Sequence, residues 1–349
     1  MSVPVLATAA ATALTALAIT DVLSEVLRRV ALRCGFTDRP DARKAHQRPV
    51  PYLGGVAIAA GTLAPVAALA PHHRRLTVII LAGAAVALLG LADDWRSLHP
   101  GTRLIAEGAA ATAVVVLGGN VHILGSRLDP AIAVIWIVLQ TNSFNLLDNM
   151  DGAAATVAFV SASFLAAAAY LAGDTAVALL LVALTAGCMG FLVHNWAPAR
   201  MFMGDAGSLF IGFVLSAAAI RIDVPCRPPA RLAELLLLTF VATVDTSLVL
   251  ISRRRAGRSF LAGGTDHASH RLRRLGLSPQ RVALALCTSA AVSCSCGLLV
   301  AARCFAVPAL GTLVVTVVAA GALIWLLLKV PVYSRPNDRP VATPANPRS

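Results

Sequence analysis

Apolar runs long enough to cross a bilayer, roughly 17 to 25 residues each, recur along this chain with short polar breaks between them. Candidate spans fall near residues 3–24, 53–70, 76–92, 104–119, 131–147, 153–172, 175–193, 207–221, 232–251, 281–304 and 306–329. The fifth and eighth are short, so the pattern predicts ten or eleven crossings. Only helices satisfy every backbone group within one apolar segment, so the expected fold is an all-α, polytopic integral membrane protein. The first run lacks a basic leader and an A-x-A site and reads as an anchor. Residues 1–330 read as one transmembrane domain. Residues 331–349, rich in Pro and without apolar periodicity, read as a disordered tail.

Composition agrees with the pattern. The 349 residues are 58% hydrophobic and 13% charged, with a mean hydropathy of +0.77, whereas soluble domains carry about 25% charged residues. Charge then orients the spans. With the N-terminus outside, most of the 29 Lys and Arg fall in the loops 28–48, 94–103, 194–206 and 252–281 and in the tail from 329. The positive-inside rule makes those loops cytoplasmic. The net charge of +12 is divided among short loops, which suits anionic lipid and a phosphorylated substrate and argues against nucleic acid. The seven Cys have no metal-ligand spacing, and Cys294 and Cys296 read as small hydrophobes.

Against this background the stretch Asn142 to Gly152, NSFNLLDNMDG, stands out. Charged groups at membrane depth cost roughly 2.5 to 3.5 kcal/mol on insertion scales and mark cavities or partners. Asn142, Asn145, Asp148 and Asp151 recur every third residue, which aligns them as one polar strip if the segment is helical. Asp93 and Asp94 are a second acid group, at a helix C-terminus where the dipole disfavours anions. A divalent cation or a nearby Arg would offset that cost, and mutual repulsion prepares one acid to accept a proton. A third acid, Asp205, lies in a turn between Gly204 and Gly207. It reads either as a metal-phosphate ligand or, with Ser208, as a helix N-cap.

Asp245, in an apolar run, either pairs with Arg253 to Arg255 or lines the same cavity. The loop that follows carries His267, His270, Arg271 and Arg274, which share a face if helical and suit phosphate better than zinc. Residues 38–55, DRPDARKAHQRPVPYLGG, form a Pro-broken loop whose Arg43, Lys44, His46 and Arg48 either anchor the membrane side or contact phosphate. Asp21 and Glu25 have snorkelling or cavity-facing readings, and His72, His73, His99 and His122 read as incidental. Hard oxygen ligands converging on one membrane face suit Mg²⁺ held together with substrate phosphates. The chemistry expected is phosphoryl transfer between a lipid-borne and a cytosolic substrate.

Five runs carry a resemblance: R-K-A-H-Q-R-P-V-P-Y-L-G-G from Arg43, the pair Asp93-Asp94, N-S-F-N-L-L-D-N-M-D-G from Asn142, F-M-G-D-A-G-S from Phe202 and D-H-A-S-H-R-L from Asp266. In this order they resemble the polyprenyl-phosphate N-acetylhexosamine-1-phosphate transferases. That resemblance implies ten or eleven helices around a cytoplasmic-facing cleft in the cell membrane. It also implies a Mg²⁺- or Mn²⁺-dependent enzyme that moves a sugar 1-phosphate from a UDP-sugar to a polyprenyl phosphate and releases UMP, the first membrane step of a surface polysaccharide. The catalytic group it implies is Asp93, Asp94, Asp148, Asp151, His267 and His270. The metal ligands would be Asp205 and Asp93. Substrate contacts would come from Lys44, His46, Asn142, Asn145, Asn195, Phe202 and Arg271, with Asn195 and Phe202 beside the uracil. Direct attack by the lipid phosphate is preferred to a covalent step, and a homodimer is compatible with the pattern.

The P-V-P form and the H-A-S-H-R-L loop are similar to the N-acetylglucosamine branch. The phospho-N-acetylmuramoyl-pentapeptide branch, the alternative, has T-P-T and a run of His there. Asn149, Ala153 and Arg103 replace the usual Gly, Leu and Lys. Two other classes fit less well. A secondary transporter places its site at the midplane between repeats, and no repeat is visible. The D-G-x-x-A-R run of CDP-alcohol phosphatidyltransferases is missing after Asp151-Gly152.

Overall fold

In a computed structural model of the chain, residues 3–38, 49–71, 73–119, 121–222, 228–260, 264–301 and 309–333 are described. Lys44 and His46, expected at the substrate, lie outside them, as do His72 and the tail beyond Tyr333. The apolar runs become helices: α1 (Val3–Cys34), α2 (Gly54–Leu69), α3 (Arg74–Trp95), α4 (Pro100–Leu117), α5 (Asp129–Leu147), α6 (Ala153–Leu171), α7 (Thr175–Asn195), α8 (Gly204–Arg221), α9 (Pro228–Leu238), α10 (Phe240–Arg255), α11 (Ala268–Arg274), α12 (Pro279–Ala301) and α13 (Ala309–Leu328). A two-residue antiparallel ladder, β1 (Thr37–Asp38) with β2 (Val50–Pro51), is the one departure from an all-α fold among the described residues.

Nine of these helices are long and apolar enough to span a bilayer, and α2 is a shorter apolar helix. The chain is a multi-pass membrane protein. The expected span over 232–251 is interrupted. α9 and α10 meet at an angle of 83°, at Thr239, whose hydroxyl donates back to the Leu235 carbonyl at 2.8 Å. Such side-chain bonding competes with the helical ladder and bends helices. An apolar pattern counts residues in lipid and does not register a corner of this kind.

α8 is the axle. It packs against α2, α3 and α5, and every residue from Ala206 to Arg221 is buried. α6 and α7 pack beside it, α1 lies against α2 and α7, and α9, α10, α12 and α13 complete the other side against α5 and α6. α6 begins Ala-Ala-Ala-Thr-Val-Ala, and small side chains of this kind let helices approach closely in lipid.

Helix ends are fixed by short signals. His73 and His99, expected to be incidental, cap α3 and α4: the Leu76 N–H donates to His73 Nδ1 at 3.2 Å and the Gly101 N–H to His99 Nδ1 at 3.1 Å. Pro100 at the start of α4 needs no donor there. These boundaries bring the loops 50–55, 93–103, 145–152, 194–206 and 264–271 to one end of the bundle.

Candidate active site

Four helix termini meet at that end: the C-termini of α3 and α5 and the N-termini of α4 and α8. The Asp93–Asp94 pair closes α3, and the two acids face different partners. Asp94 reaches the start of α8, where its oxygens accept from the Asp205 N–H at 2.9 Å and the Ala206 N–H at 3.0 Å. A carboxylate from another helix thus takes the first free donors of α8, at the positive end of its dipole. The capping role considered for Asp205 and Ser208 belongs to Asp94. Gly204 permits the approach, because its φ is +70° and a Cβ there would sit 2.7 Å from Asp94 Oδ2.

Asp93 is held by the Leu98 N–H at 2.6 Å and by Arg103 Nη1 at 2.6 Å. The same Arg103 nitrogen lies 3.0 Å from Asp205 Oδ2, and Arg103 Nη2 donates to Asn145 Oδ1 at 3.3 Å. Asn145 Nδ2 in turn donates to Asp205 Oδ1 at 2.7 Å and to Ser208 Oγ at 3.0 Å. Arg103 is therefore the offsetting cation that the anion-bearing helix end requires. Asp93 and Asp205 already direct one oxygen each to a single cationic point.

Asp148, the last member of this group, behaves differently. It is half-buried just past α5, and among the described residues its carboxylate accepts no hydrogen bond. Burial, then repulsion from Asp205, Asp94 and Asp151, pushes its carboxyl up to about 7. Asp151 is anchored, with one oxygen accepting from the Ala199 N–H at 2.9 Å.

The 194–206 turn is built onto this frame by main chain. The Phe202 N–H donates to the Pro51 carbonyl at 2.7 Å, and the Gly54 and Gly55 N–H groups donate to the Phe202 and Met203 carbonyls at 3.1 and 2.8 Å. At Gly55 a Cβ would lie 2.0 Å from the Gly207 nitrogen, so only hydrogen fits between the two backbones. Phe202 remains half-buried at the edge. Asn195 does not face the cluster. It is buried, its Oδ1 accepts from the Gly152 N–H and its Nδ2 donates to the Met201 carbonyl, both at 2.9 Å. The expected uracil neighbour is a clamp between two loops.

The His segment is also redistributed. Asp245 pairs with neither the arginines nor a cavity. Its Oδ2 lies 2.9 Å from His267 Nδ1, and its Oδ1 accepts from the Ala268 N–H at 2.7 Å. Arg253 instead grips Asp266. His270 lies beside His267, with ring centroids 5.7 Å apart, and burial and the neighbouring His267 hold its imidazole below the ordinary histidine range. Arg271, expected at phosphate, turns inward. It is fully buried and donates to the carbonyls of Asp266, Leu327 and Val330 and to the Ser252 hydroxyl. A basic residue on a helix of seven has two sides to choose from, and here packing on α13 decides.

One residue was missed by sequence reading, and a second was read only as a cap. Glu107, fully buried in α4, accepts from Asn142 Nδ2, and its second oxygen has no partner among the described residues. Ser208 holds Asn145. The usable signal for Glu107 is its place one turn after Arg103 on an otherwise apolar helix. Asp21 and Glu25 lie apart from the cluster, Asp21 on His194 at 2.9 Å and Glu25 on Arg28 and Arg29.

Among the described residues no three His, Cys, Asp or Glu side chains close on one point as a metal cage. The donor set suits a hard cation held by one or two carboxylates together with phosphate oxygens, as Mg²⁺ is usually held.

A model of glycosyl transferase family 4 matches residues 76–223, the segment from α3 to the end of α8. The chain is similar to a Streptomyces coelicolor protein named as a glycosyltransferase, 40% identical over 80% of this chain and 67% of that one. It is 30% identical to a Bacillus subtilis protein named as an undecaprenyl-phosphate N-acetylglucosaminyl 1-phosphate transferase, over 74% of this chain and 75% of the relative. A Mycobacterium tuberculosis decaprenyl-phosphate N-acetylglucosaminephosphotransferase is 31% identical over 78% and 77%.

Proposed function

The chain belongs to glycosyl transferase family 4, and from that premise we propose that it transfers N-acetylglucosamine 1-phosphate from UDP-N-acetylglucosamine to a polyprenyl phosphate at the cytoplasmic face of the cell membrane. The observation that carries the reading is the convergence of Asp93, Asp205 and Arg103 at one end of the bundle, with Asp148, unpartnered among the described residues, close by. A phosphate of the lipid attacks the phosphorus bearing the sugar. A new diphosphate bond forms, the bond to the uridine-side phosphate breaks, and UMP leaves with that electron pair.

Two anions must meet for this, so screening of charge is the main demand on the protein. Asp93 and Asp205 are the residues that would hold Mg²⁺ or Mn²⁺. When bound, the ion offsets charge on the diphosphate. Arg103 adds a fixed positive charge at the same place. Asp148 is suited to take a proton from the lipid phosphate, since its carboxylate accepts no hydrogen bond among the described residues and a base working near neutral pH needs a value near it. Asn145 and Asp151 orient the nucleotide-sugar, with Phe202 at its rim.

Purified protein given polyprenyl phosphate, Mg²⁺ and a panel of UDP-N-acetylglucosamine, UDP-N-acetylgalactosamine and UDP-N-acetylmuramoyl-pentapeptide releases UMP with the first. Release only with the third moves the chain to the pentapeptide branch. Silence across the panel removes the assignment.

A further inference from the structure

We infer that Asp245 is a positioning residue for His267, fixing which imidazole nitrogen carries the proton and so presenting Nε2 to the substrate. The inference rests on the transferase reading above for the reaction that His267 would serve, and the proton assignment stands on geometry.

Asp245 is 1% exposed and sits in the first half of α10. A carboxylate buried so deeply is retained at a cost unless its lone pairs are satisfied. Here one oxygen accepts from the Ala268 N–H at 2.7 Å and the other lies 2.9 Å from His267 Nδ1. An ionised carboxylate only accepts, so Nδ1 must be the protonated nitrogen and Nε2 the one left to exchange a proton or accept a hydrogen bond. The same contact stabilises the ring when it is charged, as the buried acid does in an acid–His–substrate relay.

Two further anchors exclude a loose arrangement. Eight residues further along α10, Arg253 binds Asp266 through Nε at 3.0 Å and Nη2 at 3.3 Å. On the far side of the His, the Ser269 hydroxyl donates to Asn149 Oδ1. Residues 266, 267, 268 and 269 are thus each tied, two to α10 by side chain, one to Asp245 by main chain, and one to the polar strip after α5. Asn149 joins the His segment to the loop that carries Asp148 and Asp151. Four fixed points over four residues exceed what a short loop needs for stability. They are what a side chain held in one orientation needs, since a misplacement of about 1 Å costs on the order of 10²-fold in rate.

The test uses the full chain in lipid nanodiscs. Asp245→Asn keeps an acceptor for the Ala268 N–H but offers His267 Nδ1 a donor, so the fold is retained and the proton moves to Nε2. With ¹⁵N-labelled histidine, the signal absent from His267→Gln reports protonated Nδ1 in the wild type and protonated Nε2 in Asp245→Asn. In UMP release, Asp245→Asn lowers kcat about 10- to 100-fold, the range of lost orienting partners, with KM for the UDP-sugar unchanged and no further loss when combined with His267→Gln. A wild-type signal from protonated Nε2, a full additional loss in the double variant, or wild-type kcat in His267→Gln each overturns the inference. If the wild type releases no UMP at all, the transferase reading falls, and the histidine signal still decides the proton assignment.

Discussion

The two ends of the bundle use charge in opposite ways. At the end away from the acid cluster, ionic groups close helix termini. Arg221 donates to the Val114, Val115 and Gly119 carbonyls at the end of α4, and Arg231 to the Ala219 and Ile222 carbonyls at the end of α8. Asp129 accepts from the Ile123, Leu124 and Gly125 N–H groups, while Asp174 caps α7 through Val177 and pairs with Arg75. Each of these charges answers backbone groups, of a helix end for Arg221, Arg231 and Asp174 and of the loop before α5 for Asp129. At the other end, Asp93 and Asp205 share Arg103, Asp94 and Asp148 add their charge beside them, and Asp148 has no hydrogen-bonding partner among the described residues. Charge at the far end is spent on the fold. Charge at the near end is held against its own repulsion, which is what a site kept ready for a cation and phosphates requires.

The sharpest way to break this comparison is to neutralise one acid at the near end. Asp205→Asn is expected to lower turnover by about two orders of magnitude or more, as for loss of an electrostatic group acting on the transition state, while its melting temperature stays level or rises as repulsion is relieved. Near-normal UMP release would take Asp205 out of the chemistry. At the far end the effects invert. Arg231→Met strands the fully buried Glu234, paired with it at 2.6 Å, and breaking such a pair costs about 3–5 kcal/mol. Thermal unfolding shows a marked loss, and the protein that remains folded turns over at the wild-type rate. A lowered kcat per folded molecule would mean that the two ends are coupled.

The smallest effect is in the pH dependence of stability. Asp148 rises to about 7 on folding from its ordinary 3.8, so between those values the folded protein binds more protons than the unfolded chain. Stability therefore falls as pH rises through that window, and the penalty is complete above about pH 7. Melting curves of the wild type slope downward from about pH 4 to 7, and Asp148→Asn flattens the slope. Parallel curves would show that Asp148 is solvated after all.

The contrast also explains how much was legible in the sequence. Spans were readable because each needs a long run of apolar residues, and Asp93, Asp94, Asp148, Asp151 and Asp205 were readable because lipid tolerates no idle acid. The partners were not. Polarity says that Arg271 and Asn195 need hydrogen bonds, and the main chain supplies them as well as a substrate would. Asp245 was visible as an anomaly, yet its partner His267 is 22 residues away, beyond any helical periodicity. The 83° corner at Thr239 left no mark in the apolar pattern for a similar reason: the run stays apolar through it, and a single Thr is tolerated in a straight span as readily as in a bent one.

One consequence concerns how the molecule is assembled. In α8, 89% of the most apolar window is buried in protein and its mean hydropathy is 1.3, whereas in α13 only 11% is buried and the value is 2.4. With that hydropathy the central helix is among the weakest of the nine candidates for insertion by itself. Its packing partners α2, α3 and α5 all precede it in the chain and are already in the membrane when it emerges from the ribosome. α8 can leave the insertion machinery by sliding into a slot that three earlier helices have made. Order of synthesis thus substitutes for hydrophobicity in the helix whose first turn carries Asp205.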